Sequence, residues 1–128
     1  MRYIPSRNIP SYNDPELYPD SRLEHPHCKI GVKEIAAVLR TTLSGETTAK
    51  RLSNSRFNDC IAGDLFKVEI KGYVITFFVD DPGAFDYITS VSYGGKVSYY
   101  SDDWIYSPDD LLSEFEEMQL EKVLKDLS

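Results

Sequence analysis

The sequence is poor in the side chains that carry most metal and nucleophilic chemistry, with two cysteines and two histidines in 128 residues. Cys28 and Cys60 do not form a C-x-x-C pair, which removes the zinc-ribbon and dithiol-redox readings. A domain of this length buries enough surface to fold without a staple, so both read as free thiols in a reducing compartment. His25-Pro26-His27-Cys28 does bring three ligand types together. Zinc needs about four ligands, though, and no second cluster completes the set. The bland reading, a loop with ordinary histidines, is preferred over a metal site. Phosphate-cradling glycine loops are absent: Gly83, Gly94 and Gly95 are isolated turn glycines. Asp59-Cys60-Ile61-Ala62-Gly63 has no nucleophile-elbow pattern. No metal, cofactor or catalytic residue is implied, and a binding protein is favoured over an enzyme.

Long apolar runs are missing too. The longest, Val74 to Val79, is broken by Thr76 and is of strand length. Nothing approaches a signal peptide or the ~20 apolar residues of a membrane span, so the expected location is the cytoplasm. Basic charge is also scarce. Fourteen Lys and Arg face 21 Asp and Glu, a net of −7 with a pI near 4.7. That balance argues against general nucleic-acid binding and against anionic membranes.

What remains is an ordinary globular composition, 41% hydrophobic and 27% charged, of single-domain length. Residues 1–27 hold five of the seven prolines and read as an extended arm, because proline lacks the amide donor and restrains its predecessor. Tyr3, Ile4, Ile9, Tyr12, Leu17 and Tyr18 lie between those prolines, so the arm is expected to pack partly on the domain formed by residues 28–128. Val32, Ile35, Ala36, Val38, Leu39 and Leu43 recur at helical spacing, with Gly45 as a stop. A second short helix is expected at about Glu46 to Ser53. Phe66, Val68 and Ile70 alternate with Lys67, Glu69 and Lys71, as in a strand with one buried face. Lys71-Gly72 turns the chain into the apolar strand Tyr73–Val79. Asp80-Asp81-Pro82-Gly83 then leads to a third strand through Phe85–Tyr93, and Gly94-Gly95 to a fourth, Lys96–Tyr100. Ser107-Pro108-Asp109-Asp110 opens a C-terminal helix. Ser113 with Glu116 reads as a second start, a capping box, so one kinked helix or two short ones both fit. The predicted fold is α+β: an N-terminal helix or two, a four-stranded antiparallel meander, and a C-terminal helix on one sheet face.

The charge is unevenly placed. Residues 1–79 carry 11 basic and 9 acidic side chains, a net of +2, and residues 80–128 carry 3 and 12, a net of −9. In a meander, the Asp80-Asp81 turn and the exit of the last strand at Asp102-Asp103 fall at one end of the sheet. Solubility and helix capping account for such acids equally well, while the spacing of a calcium loop is absent. The functional alternative is an acidic docking face for a basic protein, which raises the on-rate and selects the partner's charge. Tyr87, Tyr93, Tyr99, Tyr100, Trp104 and Tyr106 lie in the same segment and are of the types that anchor interfaces, although strands also use them in cores. Trp104, flanked by acids, is expected to be partly exposed. The partner-binding residues predicted on this basis are Asp80, Asp81, Asp86, Asp102, Asp103, Trp104, Tyr106 and Asp109.

The segments Val74–Tyr87, Asp103-Trp104, Asp109–Glu117 and Leu120–Leu124, with the helix Val32–Leu39, resemble a family of small uncharacterised bacterial domains over residues ~30–127. That resemblance brings no catalytic residues. In size, acidity and lack of an active site the chain also resembles bacterial immunity proteins, including those of contact-dependent growth inhibition and polymorphic toxin systems. The likeness implies a cytoplasmic inhibitor of one cognate basic toxin domain, often a nuclease. The alternatives are a regulatory or assembly module that self-associates through sheet edges or the arm as a weak homodimer, and, further off, a small hydrolase using His25, His27 or Cys60.

Overall fold

The computed structural model describes residues 23–127. Helix α1, Val32–Leu43, presents Val32, Ile35, Ala36, Val38 and Leu39 on one buried face, as their spacing requires. Its N-cap, Gly31, has no side chain to offer. The Glu24 carboxylate does that work from outside the helix, accepting the Val32 N–H at 2.8 Å. A Cβ on Gly31 would stand 2.9 Å from that carboxylate, so glycine is what admits it.

After α1 come β1 (Lys50–Arg51), β2 (Leu65–Ile70), β3 (Tyr73–Asp81), β4 (Ala84–Tyr93) and β5 (Lys96–Tyr99). They form one antiparallel sheet in sequential order. The tight turn between β2 and β3 places Lys71 and Gly72 at φ 53° and 86°, the paired left-handed geometry that matches strand twist. The architecture is the α+β fold read from the sequence, with five strands instead of four. The extra strand replaces the helix expected at about Glu46 to Ser53. That segment offers only Ala49 and Leu52 as apolar surface, too little to hold a short helix in place. Extended, it sets Lys50 opposite Glu69. Meanwhile the hydroxyls of Thr41 and Thr42 each bond to that of Thr47 and anchor the turn that leaves α1.

One sheet face and the helices enclose the core. Phe66, Val68, Ile70, Ile75, Phe77, Val79, Ile88 and Val91 are almost fully buried together with Ile35 and Leu39 of α1 and Leu120 and Leu124 of the last helix. The C-terminal region is two pieces: a 3-10 turn at Pro108–Leu111 and helix α2, Glu114–Asp126. The capping box is formed, with Glu116 N–H donating to Ser113 Oγ at 3.1 Å and Ser113 N–H to Glu116 Oε1 at 2.9 Å. No described helix is long and apolar enough to cross a membrane.

Of the Pro-rich arm, residues 1–22 lie outside the described residues. The described end, residues 23–27, is part of the packed domain. Leu23 is in the core, and its carbonyl accepts the Ile105 N–H at 2.8 Å.

Arg40 of α1 ties the helices together. Its guanidinium donates to both oxygens of Glu116, at 3.0 and 3.2 Å, and to the Leu111 carbonyl at 2.9 Å. The Arg40 hydrogen bonds hold the Glu116 carboxyl below its usual 4.5, with help from the Ser113 amide. A carboxylate lowered by folding stabilises above its unfolded pKa and loses that contribution as the pH falls through the folded value. Glu116→Gln keeps the capping geometry but removes the charge. It is expected to be less stable than wild type at pH 7, the gap closing as the pH drops below 4.5. Urea titrations across that range check this.

Candidate protein-docking face

The opposite sheet face carries no helix among the described residues. The register makes it readable. Leu65 pairs with Phe78 and Phe78 with Tyr87, and the rings of Tyr87 and Tyr100 lie 4.8 Å apart. These four side chains therefore cross the sheet in one row. Beside it runs a second row, Lys67, Thr76, Ser90 and Tyr99, and then a third, Glu69, Val74, Ser92 and Val97. Phe78 stacks on Tyr87 with centroids 5.2 Å apart. Leu65 is 52% exposed, Tyr99 48% and Tyr100 40%. A cluster of large apolar side chains open to water on one face is the feature that marks a binding surface, whereas single exposed hydrophobics do not.

Carboxylates rim the aromatic row. Asp80 is the extra residue at a bulge of β3, between Val79, which pairs with Phe85, and Asp81, which pairs with Ala84. Asp81 ends β3, and both aspartates are exposed. Asp86 is the extra residue at a bulge between Phe85 and Tyr87. Asp64, one position ahead of Leu65, alternates to the other side of the strand and its carboxylate accepts the Ile61 N–H at 2.9 Å, so it is not part of the rim. Bulges add twist and re-aim side chains; two irregularities in the β3–β4 ladder at this end widen the rim.

The predicted residues divide. Asp80, Asp81 and Asp86 are brought together. Asp102 and Asp103 do not join them. Strand β5 is only four residues long and ends opposite Ser90, whereas the Asp81 end of β3 pairs with Ala84. Four paired steps of the β3–β4 ladder separate those levels, about 13 Å at ~3.3 Å per step. Asp103 is occupied locally: its carboxylate accepts the Tyr99 N–H at 2.7 Å and lies 3.3 Å from His27 Nε2. His27 Nε2 also contacts the Asp102 carbonyl at 2.8 Å; because a carbonyl only accepts, that nitrogen carries the proton. Tyr106 is exposed but follows this separate edge.

Two predictions are corrected. Trp104, expected to be partly exposed, is 0% exposed. The sharp turn at Ser101, φ 78°, returns the chain onto Tyr100 and Glu24. The indole then points inward, where its N–H donates to the Ile30 carbonyl at 2.9 Å. Asp109 is also 0% exposed. It accepts the Ser107 hydroxyl, and Ser107 Oγ in turn accepts the Ile88 N–H at 3.0 Å, so this carboxylate fastens the 3-10 turn to β4. Neither residue can touch a partner. Leu65 and Phe78, in contrast, were not among the predicted site residues. The signal for them was present: if Phe66, Val68 and Ile70 face the core, Leu65 faces away, and the doubly apolar β3 needs a use for its second face.

The chemistry available elsewhere is slight. Burial pushes the Cys28 thiol up, against the lowering by Ser98, and burial raises Cys60 as well. A raised thiol holds little thiolate for nucleophilic attack or metal binding. Among the described residues no group of three or more His, Cys, Asp or Glu side chains has metal-holding geometry.

No curated protein and no solved structure matches the chain. A family profile matches residues 29–126, and by that match the chain belongs to the family described as Domain of unknown function (DUF7693).

Proposed function

We propose that this chain is an immunity or inhibitor protein that binds a basic toxin domain and blocks it by covering it. The helix-free sheet face is the docking surface. The observation that carries the reading is the row Leu65, Phe78, Tyr87 and Tyr100, its ends exposed and its two middle rings half-buried, with Asp80, Asp81 and Asp86 beside it. The carboxylates attract a basic surface and set its approach, which governs the rate of association. The aromatic row then loses its water on contact, and such centrally placed rings supply most of the binding free energy. Inhibition of this kind needs neither cofactor nor catalytic group in the inhibitor.

The test is calorimetric titration with the purified basic toxin domain encoded beside this chain's gene. One-to-one binding is expected, with association slowed by added salt. Asp80→Lys/Asp81→Lys should slow association further and flatten that salt dependence. Unchanged affinity and unchanged salt dependence in this variant would remove the acidic rim from the account.

A further inference from the structure

We infer that the exposed flank of α2 is a second, separate interface, one that pairs two copies of this chain. Phe115 and Met118 are 68% and 67% exposed, more than any other large apolar side chain described. With Gln119, Lys122 and Asp126 they line a shallow groove whose apolar walls include Leu43, the last residue of α1, and Val123. Residues 115, 118, 119, 122 and 126 follow helical spacing and form one stripe. The core-facing stripe of α2, Leu120 and Leu124, is a different one. This helix therefore has two apolar sides, one covered by its own domain and one open.

The occupant follows from the order of charges along the open stripe. Glu114 borders it at the helix start, in the i, i+4 row 114, 118, 122 and 126, with Lys122 two turns later and Asp126 at the far end. A second copy laid antiparallel, with Met118 on the two-fold axis, sets each Glu114 opposite Lys122 of the other copy. Each Phe115 then covers the aliphatic stem of Lys122 and fills the groove beside Leu43. A parallel pairing would oppose Glu114 to Glu114 and Lys122 to Lys122. The stripe is thus self-complementary in one arrangement, the isologous geometry of a two-fold dimer. The helix spans about 20 Å at 1.5 Å per residue, so the contact lies at the small end of specific interfaces, and association is weak and concentration-dependent. The interface lies on the helical side of the domain and leaves the docking face free.

Sedimentation equilibrium of the full chain, from roughly 10 μM to 1 mM, reads it directly. The weight-average mass is expected to rise from 14.6 kDa toward twice that value. Met118→Asp, at an exposed position, should leave the thermal melt unchanged and hold the chain at monomer mass throughout. Glu114→Lys alone and Lys122→Glu alone should each weaken association at least several-fold, and the double exchange should restore it. A constant monomer mass in wild type overturns the inference. So does a mass increase that survives Met118→Asp, as pairing through sheet edges or the N-terminal arm would give. Failure of the double exchange to restore association overturns the antiparallel arrangement.

Discussion

Replacing Trp104 by alanine should lower the stability of the domain by about 3–5 kcal/mol, the cost of removing a large, fully packed aromatic side chain. The indole is completely buried and sits where three segments meet. Its N–H holds the Ile30 carbonyl just ahead of α1. Its backbone bridges to Glu24, the residue that caps α1, and to Tyr100 at the exit of β5. The next amide, that of Ile105, donates to Leu23. Alanine there leaves a cavity at this junction and leaves the Ile30 carbonyl with the weak Cys28 thiol, at 3.0 Å, as its remaining donor. Trp104→Phe separates the two effects. It keeps most of the ring volume but takes the stronger of two donors from the Ile30 carbonyl, which retains the Cys28 thiol, for about 0.5–1.5 kcal/mol. Against a typical total of about 5–15 kcal/mol, the alanine variant gives up a large share of the fold's margin. Urea unfolding should show a lower midpoint at unchanged slope for both variants, in that order of severity. A Trp104→Ala variant within about 0.5 kcal/mol of wild type, the size of an ordinary surface change, would mean that Trp104 is not the junction described.

The second large effect concerns binding. Under the proposed function, Tyr99→Ala and Tyr100→Ala are each expected to weaken binding of a basic toxin domain by about 30-fold or more, the scale of ~2 kcal/mol for an aromatic hot spot. Both side chains are open to solvent, so neither change should cost much stability. The loss should appear in the dissociation rate, since contact residues act after encounter and charged rim residues before it. Asp80→Lys should show the complementary pattern, slower association with a nearly unchanged dissociation rate. A variant set in which the tyrosines change only association and Asp80 only dissociation would reverse the assigned roles.

The fold was legible wherever periodicity and punctuation agree. The α1 stripe, the alternation of β2, the glycine turns and the Ser113–Glu116 capping box all appear as the sequence implies, because each is set by residues close together in the chain. The errors were of another kind. Lys50–Arg51 became a strand because β2 was there to receive it, a tertiary preference that local pattern cannot reveal. Asp102 and Asp103 parted from Asp80 and Asp81 because β5 stops after four residues, and strand length set against a neighbour's level is a register property. Trp104 and Asp109 looked like surface residues from their acidic neighbours. A left-handed residue at Ser101 and a hydrogen bond to Ser107 turn them inward. The tyrosines and acids of the docking face were visible as a composition. Their arrangement into one row, completed by Leu65 and Phe78, required the pairing of β2, β3 and β4.

The central claim is that the helix-free sheet face, and not the helical side, meets the partner. Under the proposed function, growth protection of cells expressing a basic toxin domain encoded beside this gene tests it, comparing wild type, Tyr99→Ala/Tyr100→Ala and Met118→Asp at matched levels of folded protein. Protection is expected from wild type and from Met118→Asp, and its loss from the double tyrosine variant. Full protection by the double tyrosine variant, or loss confined to Met118→Asp, would contradict the claim.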